Sequence, residues 1–123
     1  MSSRPTEASA PLIPMPSLTP DALRVAVAQI VPSRLPELNE HLASAATSAQ
    51  RTSSVGPLRA FTAHWGTVVN IERWPQRAAR FHACEQLAAD PLADPEEARA
   101  AASEIGRILR TAGDNCAIWP SWT

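Results

Sequence analysis

Proline placement limits what this chain can fold into more than any other feature. Twelve prolines are spread over 123 residues, and a proline suits the first turn of a helix but breaks a helix interior. The neighbours of each proline decide which case applies. In Thr19-Pro20-Asp21 a capping hydroxyl precedes a proline at the first helical position, and the acid faces the positive end of the helix dipole. Asp94-Pro95-Glu96-Glu97 repeats the pattern with two acids and is the strongest helix start in the chain. Pro57 opens another helix after the loop Thr52-Ser53-Ser54-Val55-Gly56, whereas Pro32 stops a helix and Pro75 breaks or kinks one.

Between these marks the apolar residues recur at helical spacing. Leu23, Val27, Ile30 and Val31 form the face of a short first helix, and Ser33 can cap the next. A second helix over about 34–51 carries Leu35, Leu38, Leu42, Ala45 and Ala49, a narrow stripe that packs nearly parallel to another helix. The third runs from Pro57 to about Trp74 with Leu58, Phe61, Trp65, Val68 and Val69 on one face. The fourth reaches about Ala89 with Phe81, Cys84, Leu87 and Ala88, and the fifth shows Ala98, Ala101, Ile105, Ile108 and Ala112 before Gly113 as its C′ residue. No alternating run and no hairpin-type Asn-Gly or Asp-Gly turn suggests a strand. The expected fold is therefore all-α: a small bundle of four to five helices, orthogonal or up-and-down, over residues 18–113.

The flanks read differently. Residues 1–17 form a Ser/Pro-rich arm, expected to be disordered, although its Pro11-Leu12-Ile13-Pro14-Met15 patch is able to dock in extended form. Residues 114–123 form a tail with Trp119 and Trp122 around Pro120. It either folds back onto the bundle, the favoured reading, or offers an aromatic anchor to a partner.

Composition narrows the function classes. The chain is 45% apolar and 19% charged, ordinary globular material. Much of the apolar share is alanine, and there are four Trp, two Phe and no Tyr. A small Ala-rich core of this kind gains from dimerisation or partner binding. All eleven basic residues are Arg, yet the formal net charge is −1, so the whole chain carries no basic footprint for nucleic acid or a membrane surface. Cys84 and Cys116 are too few for a disulfide framework. No secretory signal and no apolar run of membrane-spanning length is present, so the expected compartment is the cytoplasm.

Few residues suggest chemistry. Glu72 projects onto the middle of the third helix's apolar face, where a lone carboxylate is costly to bury. Arg77 and Arg80 follow just past Pro75 and share a side of the fourth helix with Phe81 and Cys84. The expected arrangement is a structural Glu72–Arg77/Arg80 ion pair at the corner, or a helix end facing water. The alternative, a functional carboxylate working with His64, lacks a second acid nearby. His82 and Cys84 point about 200° apart on a helix, and His82 with Glu85 needs further ligands, so no metal site, cofactor site or catalytic set is expected. Arg73, Arg77 and Arg80 crowd one helix start, as a DNA-reading helix requires, but Glu72 and Glu85 flank them.

Leu18-Thr19-Pro20-Asp21-Ala22-Leu23-Arg24, Pro57-Leu58-Arg59-Ala60-Phe61 with Trp65, Ile71-Glu72-Arg73 and Arg77-Ala78-Ala79-Arg80 together resemble an uncharacterised family of short helical actinobacterial proteins. The resemblance covers most of residues 18–112 and leaves out the arm and the Trp-containing tail. Some members of that family are encoded beside small toxin genes, so the resemblance implies an antitoxin-like role and transfers no catalytic residue.

The expectation from sequence is thus a cytoplasmic, non-enzymatic protein–protein interaction module, antitoxin-like or regulatory, acting on a protein partner or as a homodimer. Arg73, Trp119 and Trp122 are its candidate partner contacts. The alternative is a dimeric DNA-binding regulator using Arg73, Arg77 and Arg80.

Overall fold

The computed structural model describes residues 10–116, with side chains through residue 113. The protein is a small all-α bundle. Its helices are α1 (Pro20–Ile30), α2 (Leu35–Thr52), α3 (Gly56–Glu72), α4 (Pro75–Ala89) and α5 (Pro95–Cys116), with a 3-10 turn, Pro32–Arg34, between α1 and α2. No strand occurs among the described residues. Each helix has a proline in its first two positions, where the missing N–H has no intrahelical acceptor to lose.

Two helix starts are capped as their sequences require. The Thr19 hydroxyl accepts from the Ala22 N–H at 3.2 Å, and the Asp94 carboxylate accepts from the Glu96 and Glu97 N–H groups at 3.1 and 3.2 Å. Ser33, expected to cap α2, instead sits inside the 3-10 turn, and α2 begins without a side-chain cap. At the other end of α2, Ser53 takes left-handed backbone geometry, φ 53° and ψ 42°, and the Ser53 and Ser54 N–H groups both bond the Ala49 carbonyl.

The core lies between α1, α2 and α3. Leu23 and Val27 of α1, Leu38 of α2 and Phe61, Trp65 and Val69 of α3 are fully buried. Burying such side chains stabilises the fold by roughly 1.5–3 kcal/mol each. α3 is the central element, touching all four other helices. α4 and α5 form a hairpin whose two helices pack more on each other than on the rest. This hairpin is thinly covered: among the described residues Ala78 is the buried residue of α4, Ala101 and Ala112 are those of α5, and Phe81, Cys84, Leu87, Ile105 and Ile108 stay half-buried.

Two boundaries differ from the sequence reading. Residues 10–17 do not hang free: the Leu12 N–H bonds the Arg73 carbonyl at 2.7 Å, the Arg73 guanidinium bonds the Ile13 carbonyl at 3.3 Å, and Ile13 and Met15 pack on the core. This strap pairs part of its backbone with the end of α3, so the Pro11-Leu12-Ile13-Pro14-Met15 patch docks, the second of the two readings its sequence allows, and is not part of a disordered arm. Second, α5 passes through Gly113 to Cys116. Buried Ala112 and the bond from the Asn70 amide to its carbonyl, 3.4 Å, hold the last turns onto α3, and such tertiary contacts outweigh the weak helix propensity of one glycine. Trp119 and Trp122 lie outside the described residues. Among the described residues no helix is long and apolar enough to cross a membrane.

Candidate functional site

The thin cover of the hairpin leaves a groove where α3 meets α4 and α5. Its volume is about 480 Å³. Val68 and Ile71 of α3, Phe81 of α4 and Leu109 of α5 make its apolar floor and wall. Leu109 is 41% exposed. Ala63 and Thr67 supply small side chains along α3, so another backbone is able to approach closely.

At one end stand Arg34 and His64. The Arg34 guanidinium grips Glu37 in a two-pronged pair, 3.0 Å on each arm, and lies 4.9 Å above the Trp65 ring. That hydrogen bond from Arg34 holds the Glu37 carboxyl below its ordinary range. His64 stands edge-on to Trp65, ring centroids 5.1 Å apart, and 5.7 Å from the His41 ring. Desolvation by these neighbours, then the charges of His41 and Arg34, lower the His64 pKa and favour its neutral form. Behind them the Trp65 indole N–H donates to His41 Nδ1 at 2.9 Å.

The opposite end is acidic. Glu72 and Glu85 line it, and both carboxylates lie within hydrogen-bond distance of one imidazole: His82 Nε2 lies 2.6 Å from Glu72 and Nδ1 lies 3.1 Å from Glu85, so the protonated ring donates to both. The Glu72 side chain is only 11% exposed. Burial opposes the charge on His82, but the bond to Glu85 and the charge and bond of Glu72 outweigh it, so its pKa is raised. The clasp ties the end of α3 to the middle of α4 across the Pro75 corner.

The expected ion pair therefore has other partners. Glu72 binds His82 rather than Arg77 or Arg80. The Arg80 guanidinium reaches across to Glu104 of α5 at 2.7 Å, Arg107 bonds the same carboxylate, and together they hold the Glu104 pKa down at about 2. Arg77 bonds the Asn70 carbonyl at 3.4 Å and lies 5.9 Å from the Trp74 ring. Arg73 covers the same ring at 5.0 Å and bonds the Asn70 side chain at 3.2 Å. Glu72 lies on the covered side of α3, its side chain 11% exposed, as its angle from Phe61 implies. Its partner was hidden because His82 stands ten residues on, beyond a proline corner whose bend sequence does not specify. The His82–Glu85 spacing was visible as a helical pair, and Leu109, Thr67 and Arg34 carried no signal beyond ordinary amphipathicity.

Among the described residues no group of three or more His, Cys, Asp or Glu side chains is arranged to hold a metal ion. Both nitrogens of His82 face carboxylates, which makes this cluster a charge clasp. No protein-family model matches the chain, and comparison with curated proteins and with solved structures finds no match either.

Proposed function

We propose that this chain is a non-enzymatic, cytoplasmic protein–protein interaction module that seats a segment of its partner in the groove between α3 and the α4–α5 hairpin. The observation that carries this reading is Leu109, which stands 41% exposed at the edge of a groove floored by Val68, Ile71 and Phe81. Apolar walls that stay half-covered on a thin two-helix hairpin gain stability when another element is laid over them. The partner class follows from the family resemblance: a small toxin that this chain neutralises, with self-association as the other outcome. The DNA-binding alternative has less support, because Arg73, Arg77 and Arg80 all engage Trp74, Asn70 or Glu104 at the corner.

Affinity capture of the tagged chain from its native lysate tests the reading, with Leu109→Gln run beside the wild type. One stoichiometric partner lost in the variant supports it. Identical sets from both proteins, or an empty capture with a monomer by light scattering, refute it.

A further inference from the structure

We infer that the segment seated in this groove is a basic amphipathic helix whose Lys or Arg side chain meets Glu72 and Glu85. This rests on the groove being the docking surface and adds the chemistry of what docks there.

Charge decides the first part. At the inner end two carboxylates share one imidazole, so the cluster is negative whether His82 is charged or neutral. Glu72 is nearly covered already, with its side chain 11% exposed and His82 as its partner. An occupant laid over this end removes the remaining water, which is unfavourable unless it brings a cation. At the other end Arg34 is already neutralised by Glu37 in a two-pronged pair. That end offers no net charge to attract an acid, so the occupant is basic at one end and apolar along the rest.

Shape decides the second part. From His64 to Glu72 the groove follows eight residues of α3, about 12 Å at the helical rise. That is two turns of a helix, long enough for apolar residues at i, i+3 or i+4 and i+7 with the cation beyond them. The walls are helices, and Ala63 and Thr67 line the α3 side with small side chains, which favours the close approach of another helix.

The test uses two synthetic 14-residue helical peptides with the same Leu/Ala face, one flanked by Arg and the other by Glu at the same positions. Fluorescence anisotropy measures their binding to the full chain. The Arg peptide is expected to bind about tenfold more tightly than the Glu peptide. In Glu85→Gln that ratio falls severalfold, and in Glu72→Gln/Glu85→Gln it approaches one. In Leu109→Gln both peptides weaken together. Glu85 is half-exposed, so its single variant reads the effect even if the double variant folds poorly. Equal affinity of both peptides for the wild type, or preference for the Glu peptide, overturns the basic assignment while the groove remains the docking surface. Binding that ignores Leu109→Gln, or no binding of either peptide, also overturns it, and lysate capture then judges the docking surface separately.

Discussion

The Trp65 indole N–H donates to His41 Nδ1 at 2.9 Å, joining the middle of α3 to α2. Trp65 is fully buried, so its N–H has no route to water and His41 is its acceptor. The geometry also fixes the imidazole tautomer: Nδ1 accepts, so the neutral ring carries its proton on Nε2. His41→Leu leaves a buried donor unsatisfied and is expected to destabilise the fold by about 1–3 kcal/mol. Trp65→Phe/His41→Leu removes both polar partners, so its loss should fall short of the sum of the single variants. Urea unfolding of the four proteins forms the cycle that checks this, and additivity would show that the bond contributes nothing.

His82, held between Glu72 and Glu85, gives the fold a pH dependence whose sign follows from those two carboxylates. Its pKa is raised in the folded protein, so the native state binds the proton more tightly than the unfolded chain. The stabilisation is complete below the unfolded value of about 6.5 and is lost as pH rises through the raised folded value. His82→Gln should therefore lower Tm more at about pH 5.5 than at about pH 8.5, with a small effect of under about 1 kcal/mol because the ring is half-exposed. His64 has the opposite sign. Its pKa is lowered, so its protonation penalises the native state below the unfolded value, and His64→Gln should relieve acid destabilisation. Melting curves of both variants at the two pH values check the signs.

How much of this was legible follows from where each signal resides. Helix starts were legible because a cap, a proline and an acid act within one turn, as at Thr19-Pro20-Asp21 and Asp94-Pro95-Glu96-Glu97. The core faces of α1 and α2 were legible because Leu23, Val27 and Leu38 keep helical spacing. The Glu72–His82 clasp was not, since it depends on the angle at the Pro75 corner. The groove was not, since it exists only through the relative placement of three helices.

Arg73 ties the strap at residues 10–17 to the end of α3, through its carbonyl to Leu12 and its guanidinium to the Ile13 carbonyl. The carbonyl bond survives any side-chain change, so Arg73→Ala should loosen the strap without detaching it. Ile13 and Met15 pack on the core, and fraying there opens that part of the core before global unfolding. Amide hydrogen exchange at Leu12 is expected to speed up several-fold in Arg73→Ala, with core amides of α3 changing less. Unchanged exchange at Leu12 would mean the guanidinium contact does not hold the strap.

Glycine was expected to end α5 and does not, while a residue other than glycine ends α2. Ser53 holds left-handed geometry at φ 53°, a conformation that costs an L-residue with a Cβ roughly 1 kcal/mol. Gly113 lies inside α5, where a Cβ would meet the Thr67 hydroxyl at 3.9 Å, ordinary contact. The two positions call for opposite exchanges. Ser53→Gly removes the Cβ strain at the cap, partly offset by a freer unfolded chain, and should stabilise by up to about 1 kcal/mol. Gly113→Ala gains helix propensity and restricts the unfolded chain, and should stabilise by roughly 0.5–1 kcal/mol. The substitutions sit on different helices, so the double variant should show their sum in urea unfolding. A destabilised Gly113→Ala would mean that α5 ends at Gly113 in solution, as the sequence suggested, and that its last turn needs the glycine.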